Sequence, residues 1–261
     1  MRFVRHGLAV LSALFAIVSI AHSQAYQPGR QALGQNIQTA DEQLFAQANQ
    51  ARAAQGVGPL AWDQALAAAA LAHCRRMAAE GEIAHRYGGE AELTERAGQA
   101  GAHFSLIEEN VALGTYVDMI HDGWMHSPGH RANLLNPQVN RVGIAVVAAH
   151  GVYYAVADYA RAVTLLSRAQ VEAAVGATLR SRGVMVLEET ADARSYCSGG
   201  ARPASSPEFM MLWQDADVTM LPRSLTDHMA SGRYRKAEVG ACPAQNVEGA
   251  FTVYRVAVLL Y

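Results

Sequence analysis

An α+β fold is what the sequence predicts, on two observations. Amphipathic helical patterns fill the first half of the 261 residues before any clear strand. They then give way to two stretches of period-two alternation, Arg141 to Ala148 and Val152 to Tyr159, turned at Ala149-His150-Gly151. Helices followed by a hairpin imply helices laid on the faces of a sheet.

The elements follow in order. Arg2 and Arg5 precede the apolar run Leu8 to Ile20, and small residues surround Ser23-Gln24-Ala25. That is the pattern of a secretory signal peptide over residues 1–25. The run is short for a bilayer span, and nothing later has the length to cross one, so no stable membrane span is expected once the signal is removed. An uncleaved N-terminal anchor is the competing reading. Residues 26–40, with Pro28, Gly29 and Gly34, read as a flexible lead-in.

Helix one is expected from about Asp41 to Gln55, capped by Thr39 or Asp41, with Leu44, Phe45, Ala48 and Ala51 as its apolar stripe. Gly56-Val57-Gly58-Pro59 stops it. Asp63 caps a second helix through to about Glu80, whose core face is Leu66, Ala70, Cys74 and Met77. His73 lies beside that face and reads as a satisfied helix histidine. Glu82 to Gly89 is a loop carrying His85, and Leu93 to Ala100 a short helix. The acid pair Glu108-Glu109 reads, on composition alone, as solvated. Val117 to Met125 is the third main helix.

Trp124-Met125-His126-Ser127-Pro128-Gly129-His130 then closes that helix with turn residues. Arg131 to Leu135 is expected to be a short helix or a 3₁₀ turn stopped at Asn136-Pro137, with His130 held beside a helix end. Ser127 beside His126 and His130 suggests a Ser–His pair. Ser before Pro-Gly is also ordinary turn composition, which is the reading preferred here. No Gly-x-Ser-x-Gly elbow is present.

Composition narrows the function. Losing residues 1–25 removes Arg2 and Arg5 and no acid, leaving 19 basic against 23 acidic residues. Without a basic stripe, nucleic acid is not an expected partner. In an oxidising compartment, three cysteines allow one pair. Cys74 sits on a helical apolar face, whereas Cys197 and Cys242 lie in turn-rich surroundings, so a Cys197–Cys242 disulfide is predicted.

Several ordered motifs together carry a resemblance. These are Asn49-Gln50-Ala51-Arg52, Leu60-Ala61-Trp62-Asp63, His85, Glu109-Asn110, Trp124, Ser127-Pro128-Gly129-His130-Arg131-Ala132-Asn133-Leu134-Leu135 and the Val142-Gly143-Ile144 strand. From about Gln43 to Arg161 the chain resembles the CAP superfamily in its bacterial form, the cysteine-rich secretory, venom-antigen and pathogenesis-related proteins that share the SCP domain. The resemblance implies a three-layer α-β-α sandwich over residues 41–163.

It also implies a cleft lined by His85, Glu109 and His130. Animal and plant members carry a second Glu three residues after the helix Trp, and Ser127 stands there in this chain. Two imidazoles and a carboxylate are a candidate divalent-metal set, zinc being favoured by nitrogen donors. Glu109 could instead orient His130 through an imidazole N–H. The expected function is an exported binding or interaction protein, periplasmic or extracellular, whose partner the sequence leaves open, with a lipid, a peptide or a cell-envelope component as the candidates. Family membership implies no general catalytic role. The alternatives are a metal-dependent, peptidase-like hydrolase on peptide or envelope substrates, and a lipid or sterol carrier. For a carrier, Tyr153, Tyr154 and Tyr159 could line a groove, although strand alternation puts them first in the core.

Residues 164–261 lie beyond the resemblance and read as a small accessory α+β domain stapled by the disulfide. Ser167-Arg168-Ala169-Gln170 is a capping box opening a helix to about Arg182. Strands are expected at Val184 to Glu188, Phe209 to Gln214, Arg235 to Cys242 and Phe251 to Tyr261, with a short helix from Leu225 to Ser231. Glu238-Val239-Gly240-Ala241 followed by Thr252 to Val258 is similar to the first hairpin, so this region could be a degenerate CAP-like half. Convergent hairpin composition would give the same pattern.

Overall fold

Residues 39–200 and 202–261 are described in a computed structural model of the protein. The predicted signal peptide and residues 26–38 of the lead-in lie outside the described residues. Helix α1 (Ala40–Ala54) begins at Thr39, whose backbone N–H donates to the Glu42 carboxylate at 2.9 Å. Thr39 rather than Asp41 is therefore the cap, and the lead-in stops short of residue 40. Strand β1 (Ala61–Trp62) follows. Helix α2 (Gln64–Glu80) is capped by Asp63, which accepts from the N–H groups of Ala65 and Leu66, and ends at Gly81 with φ of 79°.

Next come α3 (Leu93–Gln99), β2 (Phe104–Gly114), α4 (Val117–His126), α5 (Pro128–Leu135), β3 (Arg141–Ala149) and β4 (Val152–Ala162). The sheet runs β1-β3-β4-β2; β1 is parallel to β3, and the other neighbours are antiparallel. Strand alternation sorts the two faces. Val142, Ile144, Ala155, Ala157 and Tyr159 pack with Leu44, Trp124 and Leu134 of α1, α4 and α5. Ala145, Tyr154 and Val156 pack with Ala70, Cys74 and Met77 of α2 on the other side. Helices on both faces make this an α-β-α sandwich. Tyr154 and Tyr159 are core residues and Tyr153 is half-buried.

Two contacts fix the layers. A Cβ on Gly143 would lie 2.0 Å from the Ala67 backbone nitrogen, so α2 rests directly on β3 where only glycine fits. On the opposite face, Arg52 is 1% exposed, and its guanidinium donates to the carbonyls of Gly58, Leu134, Asn136 and Val139 at 2.7–3.2 Å. One planar fork thus ties α1 to the end of α5.

The chain continues through α6 (Arg168–Ser181), β5 (Met185–Val186), α7 (Ala191–Cys197), β6 (Phe209–Asp215), α8 (Arg223–Ala230), β7 (Lys236–Cys242) and β8 (Tyr254–Leu260). These strands form a second four-stranded sheet, β5-β7-β8-β6, again with the first pair parallel and the rest antiparallel. Gly240 of β7 lies against α7 as Gly143 lies against α2; its Cβ would come within 2.3 Å of the Ala193–Arg194 backbone. The predicted disulfide is present: Cys197 at the end of α7 bonds Cys242 at the end of β7. Cys74 is a buried free thiol.

Three elements went unread in the sequence. Strand β2 carries Glu108, Glu109 and Asn110 in its middle, which masks its alternation. Strand β1 is two residues long, and α7 is short and polar on one face. Among the described residues, no helix is long and apolar enough to cross a membrane.

Reducing the disulfide should lower unfolding stability by about 2–4 kcal/mol, because the bridge closes a 45-residue loop of the unfolded chain. Urea titration with and without reductant checks this. Gly143→Ala should cost at least about 2 kcal/mol, since its methyl meets backbone that has no rotamer to yield; the urea midpoint measures it.

Candidate functional site

Glu109 is the centre of the site. Its neighbour Val111 packs on the α2 side of the sheet, and alternation puts Glu109 on that face too, where it is buried. The composition-based expectation of solvation is corrected for this residue. Glu108, one position earlier, faces the other way and accepts from the Asn136 side-chain amide at 3.0 and 3.1 Å.

Both Glu109 side-chain oxygens are occupied. Oε1 accepts from His85 Nδ1 at 2.8 Å, and Oε2 accepts from the Arg96 guanidinium at 2.5 Å. A carboxylate can only accept here, so His85 carries its proton on Nδ1 and leaves Nε2 uncommitted to Glu109. The His85 side chain is 60% exposed, although its anchor is buried. Glu109 therefore orients His85, and not His130 as the resemblance allowed.

The loop bearing His85 is held by two further buried side chains. Arg96 donates to the His85 carbonyl at 3.1 Å. His73 is fully buried on α2; its Nε2 donates to the Ala84 carbonyl at 2.8 Å, and its Nδ1 meets Glu90 Oε1 at 2.7 Å. The satisfied-histidine reading of His73 agrees with this, but the groups it satisfies are those that place His85. Partial burial works against the charge of Glu90, yet the hydrogen bonds from His73 and from the Tyr87 N–H hold its carboxyl below the usual range.

His130 stands in the first turn of α5, which begins at Pro128, three residues earlier than expected. Asn110, fully buried on the other face of β2, donates to the His130 carbonyl at 2.9 Å and accepts from Asn133 at 3.0 Å. The Asn-Leu-Leu return after His130 is thereby locked to the sheet. The Trp124 indole donates to the Val111 carbonyl at 3.3 Å. His126 is exposed, with Nδ1 on the Asp122 carbonyl, and Ser127 forms the joint between α4 and α5.

The imidazoles are biased in opposite directions. The Glu109 hydrogen bond raises the His85 pKa, opposed by partial burial. Desolvation, then the charge of His85, lowers that of His130. The arrangement offers one histidine that protonates readily and one that stays neutral.

Against that geometry, the three-residue metal set does not fit well. Arg96 places a fixed positive charge on Glu109, and a divalent cation would have to share the carboxylate with it. Among the described residues, no three His, Cys, Asp or Glu side chains are grouped as a metal site.

The sequence reading missed Arg96, Glu90 and Asp158. Asp158 is fully buried in β4, directly opposite Glu109 in the strand register. An acid inside the apolar run Val152 to Tyr159 was the available signal, since a buried carboxyl needs a specific neighbour.

A histidine-resolved proton NMR titration should show His85 with its midpoint above the ordinary imidazole value and His130 below it. The stability conferred by the His85–Glu109 bond is full below the unfolded-state histidine pKa and is lost as pH rises through the raised folded value. In Glu109→Gln the His85 midpoint should fall; an unchanged midpoint would show that the bond does not set it.

Residues 45–159 match the CAP family, described as the cysteine-rich secretory protein family. The uncharacterized membrane protein YlbC of Bacillus subtilis is 31% identical over 110 residues, 41% of this chain and 32% of that protein. YkwD of the same organism, also uncharacterized, is 28% identical over 109 residues, 40% of this chain and 41% of that protein. The chain thus spans 32% and 41% of the length of the curated relatives it matches. Among solved structures, an SCP-domain extracellular protein of Bacillus anthracis is 29% identical, with a TM-score of 0.43 over 47% of this chain and 40% of that one. An outer surface protein of Borrelia burgdorferi is 18% identical, with a TM-score of 0.45 over 47% and 92%. The motif run from His85 to the Val142-Gly143-Ile144 strand, the sandwich it builds and the match to the family model agree: residues 45–159 form a CAP domain of the cysteine-rich secretory protein family.

Proposed function

We propose that this is an exported CAP-domain protein whose His85–Glu109–His130 cleft recognises a ligand or partner and does not turn over a substrate. The observation that carries this is the commitment of Glu109. With Arg96 on one oxygen and His85 on the other, the carboxylate is a structural anion and not a free base. What it presents to the cleft is an oriented, readily protonated imidazole beside a neutral one. That pair suits a ligand oxygen bearing negative charge or a carbonyl, as on peptides and envelope polymers.

The nucleophiles favour the same reading. Burial pushes the Cys74 thiol up to about 12, which leaves it inert, and Ser127 is a joint residue. Burial of Tyr154 and Tyr159 favours recognition of polar groups over a tyrosine-lined lipid groove. Export rests on the signal-peptide pattern, and the Cys197–Cys242 bridge accords with an oxidising compartment.

Residues 164–261 are, on this reading, a reduced second copy of the same unit. The shared strand order, the shared senses and the two glycines pressed on helix backbone support it. Setting Gly240 on Gly143, the cross-strand partners align Ala257 with Asp158 and Leu212 with Glu109. The second copy has apolar residues where the first has its two carboxyls, so its role is structural support. An experimental structure whose halves superpose with Gly240 away from Gly143 would overturn this.

Co-sedimentation with isolated peptidoglycan sacculi, alongside a peptide-cleavage assay with and without zinc, tests the cleft. The expected result is binding that drops about tenfold or more in His85→Ala/His130→Ala, equivalent to about 1.4 kcal/mol, and no zinc-dependent cleavage. Equal or absent sedimentation of both proteins sinks recognition of the envelope polymer. Cleavage that requires zinc and disappears in the variant establishes the hydrolase instead.

A further inference from the structure

Asp158 is the buried polar group that the site as described leaves unexplained. It is 0% exposed, and neither of its carboxyl oxygens meets a hydrogen-bond donor that is fixed by side-chain type. Its cross-strand neighbours are Gly143 on β3 and Glu109 on β2. On the Gly143 side the α2 backbone closes the space, so no large side chain enters from there. The neighbour that remains is the Glu109 carboxylate.

Two carboxyls in contact inside a protein do not both ionise, because the charged pair would be unsolvated as well as repulsive. The geometry decides which of them keeps the charge. Glu109 accepts from the Arg96 guanidinium and from His85 Nδ1, two bonds that need an anion. Asp158 accepts from neither. We propose that Asp158 stands as a neutral carboxylic acid whose O–H donates to Glu109, making it a positioning residue that acts on His85 through Glu109. The proton that satisfies Asp158 then also gives Glu109 its third donor. Burial first, and the Glu109 charge second, hold the Asp158 carboxyl well above the usual carboxylate range, with Arg96 opposing only in part.

The consequence for the cleft is direct. A carboxylate with three donors grips each less tightly than one with two, so Asp158 limits how strongly Glu109 holds the His85 proton. It also fixes the carboxylate plane, which in turn aims the imidazole. The charged and titratable groups around the pair are Arg96 from α3, His73 from α2 with Nε2 4.0 Å from Glu109, His85 and Glu90 from the loop. None of them is placed to donate to Asp158.

This inference rests on the reading of Glu109 as the anchor of His85, and its test uses no ligand, so its failure and that of the recognition proposal are separable. Carboxyl-carbon NMR of the full chain follows Asp158, and ring-proton NMR follows His85. In the wild type the Asp158 signal should stay that of an acid through the range where exposed carboxyls titrate. Asp158→Asn, whose amide donates in place of the O–H, should leave the His85 midpoint within a few tenths of a pH unit of wild type. Asp158→Ala, which removes the donor, should raise that midpoint by about half a unit or more, a change of roughly 0.7 kcal/mol.

Stability supplies a readout that does not depend on the alanine variant folding. A buried acid with a raised folded pKa costs stability as pH rises from its unfolded value towards its folded one. Asp158→Asn should therefore flatten the decline of the urea midpoint between acid and neutral pH. An Asp158 signal that titrates with the exposed carboxyls overturns the proposal. So does an asparagine variant that displaces His85 or leaves the pH dependence of stability unchanged.

Discussion

Everything specific to the first half of this protein depends on one buried anion. Glu109 sits inside the sandwich because β2 must turn one face to α2, and a carboxylate there is tolerable only with compensating donors. Arg96 and His85 supply them, and both lie in the segment between α2 and β2, Arg96 on the short helix α3 and His85 on the loop before it. The charge thus performs two tasks at once: it anchors an irregular segment to the sheet, and it selects which nitrogen of His85 bears the proton. His73 extends the same logic, since its two ring nitrogens grip Ala84 and Glu90 on either side of His85.

The sequence revealed the helices apart from α7, the first hairpin and the disulfide because each had a local signature. Asp63 caps α2, Gly81 ends it, and Cys197 and Cys242 were the two cysteines outside an apolar helical face. His85, Glu109 and His130 were nameable only through the family resemblance, because the bonds of the site span 24 residues between His85 and Glu109 and close only once the sheet exists. Arg96 looked like one arginine among twenty. Strand β2 was hidden by the very residues that matter, since Glu108, Glu109 and Asn110 interrupt the apolar alternation by which a strand is recognised.

The second half has the same strand order and strand senses without that anion. Its helix against β7 is seven residues long where α2 has seventeen, and Cys197–Cys242 bonds that helix to the strand. A covalent clamp suits a layer with little apolar area to bury. Glu172 adds a second tie, accepting from Arg194 on α7 and from the Ala241 N–H on β7. In the first half, a carboxylate of similar burial holds an exposed histidine in place; in the second, one closes a small core.

The edge of β2 has one more effect. Its carbonyls at Phe104, Glu109 and Val111 are taken by the Thr252 N–H, the Asn133 amide and the Trp124 indole. A terminal strand normally offers such groups to any extended chain that passes. Here the same residues that identify the family, Trp124 and Asn133, act as stoppers along that margin. A visiting polypeptide cannot lengthen the sheet at β2 without prising them off, so that margin is closed to strand addition by side chains instead of by a further strand.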